Sequence, residues 1–161
     1  KNIYPHRKVK LEIDEATLDN PAWISEDAAI KVVTHPASID IVDFPIIPSG
    51  EIEGMVYFKA GKNNQGASKV EVELYNMKKE LVAKADTAYD GYFVFERVPH
   101  GKYLLRVSKK QLTKTDYKSI IRSKIVKNKR KYIKKYNNYY KLDLNHDHEE
   151  VFGLEFLLKQ K

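Results

Sequence analysis

Cysteine is absent from the 161 residues, and tryptophan occurs once. The missing thiols exclude disulfides, Cys-ligated zinc and a thiol nucleophile. That fits a cytoplasmic protein and a bacterial envelope protein equally well. No apolar run approaches the roughly 18 residues of a membrane-spanning helix. No secretory leader is present, and the first residue is Lys1, not Met. The chain therefore reads as an excised fragment or a processed product, and the missing leader says nothing about compartment. Also absent are a Gly-x-Ser-x-Gly elbow, a phosphate loop and a His-Glu-x-x-His helix. No catalytic set stands out, so neither an enzyme nor a cofactor is expected.

What is present is enough for a core. Hydrophobic residues make up 42% of the chain and charged residues 32%. A chain of about 150 residues buries roughly 68–70% of its unfolded surface. Aromatic and β-branched content is too high for wholesale disorder. The net charge of +7 is unevenly spread. Residues 108 to 142 hold 13 Lys or Arg and one acid, Asp116, for +12, which leaves −5 on the rest. A mildly acidic body thus carries one very basic segment. Lys outnumbers Arg 24 to 5, a bias that an AT-rich genome also produces.

Three regions differ in composition. Residues 1 to 48 are punctuated by Pro21, Pro36, Pro45 and Pro48. Val9, Leu11 and Ile13 alternate with polar neighbours at the strand period, and 29–34 and 39–44 read as two further strands. So few strands make a poor core of their own, and this extension or linker is expected to dock on another domain. From residue 49 onward the alternation is clear. Ile52, Gly54, Val56 and Phe58 share one face, and Val70, Val72 and Leu74 another stripe. Lys59 to Ser68 reads as a polar loop, and Leu81, Ala83 and Ala85 continue the period. Asp90-Gly91 is a hairpin signal, followed by inward Phe93 and Phe95, a Pro99-His100-Gly101 turn, and inward Tyr103, Leu105 and Val107. Tyr140 to Leu144 reads as a strand and Asn145 to Glu150 as a turn, with Leu154, Phe156 and Leu158 as the final stripe. Thr115 to Tyr136 fits a helix, with Ile121, Ile125, Tyr132 and Tyr136 at a 3.6-residue period. Short strands at intervals near 10 residues indicate an all-β, antiparallel β-sandwich spanning 49–161. The basic insertion at about 109–139 is expected to loop out of it.

Gly50-Glu51-Ile52-Glu53-Gly54-Met55-Val56-Tyr57, Val70 to Leu74, Thr87 with Asp90-Gly91-Tyr92-Phe93-Val94-Phe95, and Val98-Pro99-His100-Gly101-Lys102-Tyr103 through Val107 carry a resemblance. The segment from Gly50 to Leu112 resembles the transthyretin-like (prealbumin-like), or carboxypeptidase-regulatory-like, sandwich modules of bacterial surface proteins. Upstream, Leu11-Glu12-Ile13-Asp14, Thr17 to Pro21, His35-Pro36 and Asp43-Phe44-Pro45-Ile46 look like the lead-in to such a module in usher-like outer-membrane proteins of Gram-negative bacteria. The resemblance implies a non-enzymatic module of the periplasm or outer membrane. It would mediate protein–protein interaction in the export or assembly of fimbrial and other surface subunits. Its partners would be other domains of the same chain or envelope proteins. The His-Arg-His set of the transthyretin-like hydrolases has no counterpart here.

The basic segment is the main candidate for binding. Lys127, Lys129, Arg130, Lys131, Lys134 and Lys135 would create a strong positive field, with Tyr132 and Tyr136 interleaved. An anionic lipid surface or an acidic partner suits it. Nucleic acid, through 109–141, is the less favoured alternative, as is a carbohydrate or accessory module of a larger enzyme. A solvated insertion is the simplest account. His146 and His148, with Glu149 and Glu150 beside them, are the one metal-like pair, and a solvated turn explains them more simply.

Overall fold

A computed structural model describes residues 4–61, 63–121 and 132–160. The chain divides into two compact units, Lys1–Ser49 and Gly50–Lys161.

In the first unit, β1 (Lys8–Leu11) and β3 (Ile30–Val33) form an antiparallel pair, Lys8 opposite Val33 and Leu11 opposite Ile30. A single 3₁₀ turn, Glu15–Thr17, begins at Asp14, whose Oδ1 accepts from the Ala16 N–H at 3.2 Å. That is the cap expected of an Asp before a helical turn. Between them β2 (Trp23–Ser25) pairs with the first residues of β4 (Ile46–Ala60), Trp23 opposite Pro48. The strand expected over 39–44 does not form, and Ile39 and Ile41 are 94% and 87% exposed. Ser49 alone is buried among the described residues of this unit.

The second unit continues β4 and adds β5 (Asn63–Gly66), β6 (Glu71–Asn76), β7 (Leu81–Asp86), β8 (Tyr92–Pro99), β9 (Gly101–Val107), the six-residue α1 (Lys109–Lys114), β10 (Tyr117–Ile121), β11 (Ile133–Tyr136), β12 (Tyr139–Leu144) and β13 (Glu150–Gln160). One sheet has the order β11-β12-β9-β6-β7. In the other, β13 lies between β10 and β4, and β5 and β8 both pair with β4. The facing stripes meet as one core. Ile52, Val56, Val70, Val72, Leu74, Phe93, Phe95, Tyr103, Leu105, Val107, Leu154, Phe156 and Leu158 are all buried in it, with Phe58 partly covered. Period-2 alternation puts them there, since every second side chain faces the opposing sheet. Tyr140 lies beside Phe156 (centroids 5.2 Å apart), and Phe156 beside Phe93 (6.2 Å). Leu81, opposite Tyr75 just beyond a register shift in the β6–β7 pair, is exposed instead of continuing the stripe.

Further expectations change in the second unit. First, Asp90-Gly91 does turn the chain, with Gly91 at φ +89° and its N–H donating to Ala88 O at 3.0 Å. The strands it joins belong to opposite sheets, so it is a crossing and not a hairpin. The Pro99-to-Gly101 turn crosses back. Second, the sandwich is not wholly antiparallel. β13 runs parallel to β4, from Glu150 opposite Glu51 to Leu158 opposite Phe58, with a bulge between Val151 and Leu154 where Gly153 takes φ +73°. Lys59 to Ser68, read as a loop, contains β5.

Third, the segment from Thr115 to Tyr136 is not a helix at either described end, and those ends do not loop clear of the core. β10 pairs with β13, Ile121 opposite Phe156, while β11 pairs with β12 in the other sheet, Ile133 opposite Leu142. Ile121 and Ile133 are both buried. Ser and β-branched residues weaken a helix here, and two sheet edges offer the apolar positions of the segment a better place. Among the described residues of the region, the only α-helical segment is α1.

Candidate functional site

The alternation that buries Val72, Leu74, Leu105 and Val107 turns Glu73, Tyr75 and Arg106 to the outer face of the five-stranded sheet. Register sets Glu73 directly opposite Arg106. Glu73 is only 6% exposed, so its charge needs partners. Its Oε2 accepts from Arg106 Nε at 2.9 Å and from the Tyr75 hydroxyl at 2.7 Å, and its Oε1 accepts from Ser108 Oγ at 2.9 Å. Arg106 also donates through Nη1 to the Tyr139 hydroxyl (2.9 Å) and through Nη2 to the Tyr75 hydroxyl (2.7 Å). Its guanidinium lies 4.8 Å from the Tyr75 ring centroid and 5.3 Å from that of Tyr139, a two-sided cation–π clamp. Burial works to raise the Glu73 carboxyl, but the bonds from Tyr75, Ser108 and Arg106 outweigh it and hold it below its ordinary value. Burial and the bond to Glu73 raise the Tyr75 phenol.

Beside this cluster lies an open cleft of about 370 Å³ between α1, β10 and the β11–β12 turn. Its lining residues include Arg106, Tyr139, Lys109, Lys118, Ser119 and Asn138. No acid lines it.

The expected basic residues are placed unequally. Lys127, Lys129, Arg130 and Lys131 lie outside the described residues. Lys134 and Tyr136 sit on the edge strand β11, opposite Lys141 and Tyr139 on the outer face. Lys135 is paired opposite buried Tyr140 and so faces the other way. Tyr132 is stacked on His148, centroids 3.7 Å apart. His146 and His148 separate: His146 meets His100 edge-on at 4.9 Å, and its Nδ1 is 4.0 Å from Glu149. Among the described residues no group of three His, Asp or Glu is arranged to hold a metal ion. Sequence reasoning missed Glu73 and Arg106. The signal available was their outward position between buried neighbours, but their pairing across 33 residues was not visible.

A two-sheet β-sandwich with a satisfied polar cluster on one outer face is a compact structural module. The family model "BOS complex subunit NOMO1-like, second beta sandwich domain" matches residues 50–135, over half of the chain. The chain belongs to that family. No curated protein matches the sequence. Among solved structures, the minor pilin GBS52 of Streptococcus agalactiae is 13% identical with a TM-score of 0.46, over 100% of this chain and 63% of that one. The Bacillus anthracis TIE protein is 13% identical with a TM-score of 0.43, over 86% of this chain and 23% of that one. PA1324 of Pseudomonas aeruginosa, described as a putative carbohydrate binding protein, is 12% identical with a TM-score of 0.36, over 71% and 90%. The chain thus spans about a quarter of the TIE protein and under two thirds of GBS52. These likenesses are too distant to bear on function.

Proposed function

We propose that the chain is a non-catalytic β-sandwich module of a larger cell-envelope protein, and that it holds neighbouring domains or subunits together. The observation that carries this is the first unit. Its described residues bury no apolar side chain, and Ile39 and Ile41 stand almost fully in water. Covering each would be worth about 1.5–3 kcal/mol, and an adjoining domain of the same protein is the occupant this reading names. The family description, a β-sandwich domain, supports a role without chemistry. The transthyretin-like strand plan and the usher-like setting, with subunit export and a periplasmic or outer-membrane location, are the finer form of the proposal. They are supported by the sequence patterns from Gly50 to Leu112 and from Leu11 to Ile46.

Hydrogen exchange tests it. Amides of residues 35–44, which lie outside the strands, should exchange freely in the isolated chain and become protected in the full-length protein, and Ile39→Asp with Ile41→Asp should abolish the gain. Equal protection in both settings would sink the proposal.

One observation favours a second reading, contact with an anionic surface. Lys134 and Lys141 face each other across β11 and β12, and like charges directly opposite destabilise a strand pair. An anionic lipid or acidic protein surface would relieve that repulsion. Binding to acidic vesicles that falls with salt and with Lys134→Gln would support it.

A further inference from the structure

The outer face of the sheet built from β10, β13, β4 and β8 is sorted by charge along its strands. On β4, Ile52, Val56 and Phe58 face the core, so Glu51, Glu53, Met55, Tyr57 and Lys59 point away from it. Pairing sets Glu150 beside Glu51 and Leu157 beside Tyr57 on the same outer face. Ile120 then lies opposite Leu157, and Lys118 opposite Lys159. The buried neighbours Ile121 and Leu158 point the other way. Leu157 is 8% exposed yet packs outside the core that the two sheets share. The face therefore runs from an acidic end (Glu51, Glu53, Glu150), through an apolar middle (Met55, Tyr57, Leu157, Ile120), to a lysine end (Lys59, Lys118, Lys159). On β8 the Tyr92 hydroxyl donates to Glu53 at 2.6 Å. Its phenol is pushed up to about 12, first by that bond, then by burial and by the charges of Glu53, Glu51 and Glu96. Among the described residues no ion pair joins Lys59, Lys118 or Lys159 to an acid.

We infer that this face joins a second copy of the chain, sheet against sheet, with the strands of the two copies antiparallel. Each end repels itself, because Glu150 lies beside Glu51 and Lys118 directly opposite Lys159, and like charges so placed weaken a strand pair. A two-fold axis lying in the interface and crossing the strands near Met55 reverses strand direction between the copies and makes the face self-complementary. It carries Glu51 and Glu150 of each copy over Lys59 and Lys159 of the other, and apolar middle onto apolar middle. An axis along the strands would stack like charge on like. A surface of one sign, such as an anionic membrane, would attract one end and repel the other. Four strands about 4.8 Å apart, over positions 51 to 59 at about 3.3 Å each, span roughly 570 Å² per copy. Two copies then bury about 1,100 Å², the low end for specific interfaces, so the dissociation constant should be on the order of 100 μM. The inference concerns the second unit alone and does not rest on the envelope reading.

Sedimentation velocity of the chain, from about 10 μM to about 1 mM, tests it. The expected result is a monomer–dimer equilibrium that weakens as salt is raised. Two double variants, Glu51→Lys with Glu150→Lys and Lys59→Glu with Lys159→Glu, should each weaken it at least about tenfold, because both ends then carry one sign. Mixed in equal amounts, the two variants should recover a heterodimer of affinity near wild type, since every end again meets its opposite. A folding defect could not produce that recovery. A chain that stays monomeric at low salt over the whole range, a dimer that neither variant weakens, or variants that fail to recover on mixing would overturn the inference. So would a monomer that binds acidic vesicles through Lys59 and Lys159, which would assign the face to a lipid surface.

Discussion

Removing one member of the Glu73–Arg106 pair should cost far more than removing both. In Arg106→Met, the Glu73 carboxylate stays buried, with only Tyr75 and Ser108 donating to it. Breaking a buried ion pair costs about 3–5 kcal/mol. The Arg106 side chain is 20% exposed and two donors remain on Glu73, so about 2–4 kcal/mol is expected here. Glu73→Leu should cost less, about 1–3 kcal/mol, since Arg106 keeps two phenol acceptors and part of its hydration. In the double variant no charge is stranded, and the side chains have similar volume. Its stability should fall within about 1 kcal/mol of wild type. Urea unfolding at pH 7 measures all four proteins, provided the denaturant slopes agree. Single losses that simply add in the double variant would refute the reasoning, because the residues would then act independently. The acid limb gives a separate check. The folded Glu73 carboxyl lies below its ordinary 4.5, so its contribution is complete above that pH. It is lost as pH falls through the folded value. Glu73→Leu should flatten that part of the acid transition.

Tyr140, fully buried and hydrogen-bonded through its hydroxyl to Glu155 O at 2.7 Å, has its phenol pushed up to about 12, mainly by burial. Its contribution is complete below the ordinary 10.0 and fades as pH rises to about 12, a loss on the order of 2–3 kcal/mol that Tyr140→Phe should remove from the alkaline unfolding curve. Phe156→Ala, at the centre of the Phe93–Phe156–Tyr140 contacts, should cost about 3–5 kcal/mol in urea; a loss under about 1 kcal/mol would contradict its burial. Replacing residues 114–136 by a Gly/Ser linker should unfold the second unit by circular dichroism, because it removes β10 from one sheet and β11 from the other. A folded product would show that Ile121 and Ile133 are dispensable.

The inward stripes were legible because a strand writes its buried face into every second residue, as Val70-Val72-Leu74 and Leu154-Phe156-Leu158 do. Which sheet a strand joins is not written locally. Asp90-Gly91 permits a tight reversal whether the next strand pairs with the last one or crosses the core, and packing of Phe93 and Phe95 decides for the crossing. The basic segment misled for a related reason. Lysines mark positions facing water and are silent about the isoleucines between them, and Ile121 and Ile133 each complete a different sheet. The Glu73–Arg106 cluster was half visible. Alternation placed both residues outward, but only register could bring them face to face.

The pairing of β4 with β13 has a mechanical consequence. The strand that enters the sandwich at residue 50 and the strand that leaves it at residue 160 are neighbours and run in the same direction. Tension applied between those two points pulls them lengthwise past each other. The hydrogen bonds from Glu51–Glu150 to Phe58–Leu158 then bear load together in shear, where a hairpin would open one bond at a time. Rupture under force is governed by the unfolding rate, so resistance here depends on how many of these bonds must break at once. The bulge at Gly153 divides the ladder into a short segment at Glu51–Ile52 and a longer one at Gly54–Phe58, and the longer one is the element that would hold.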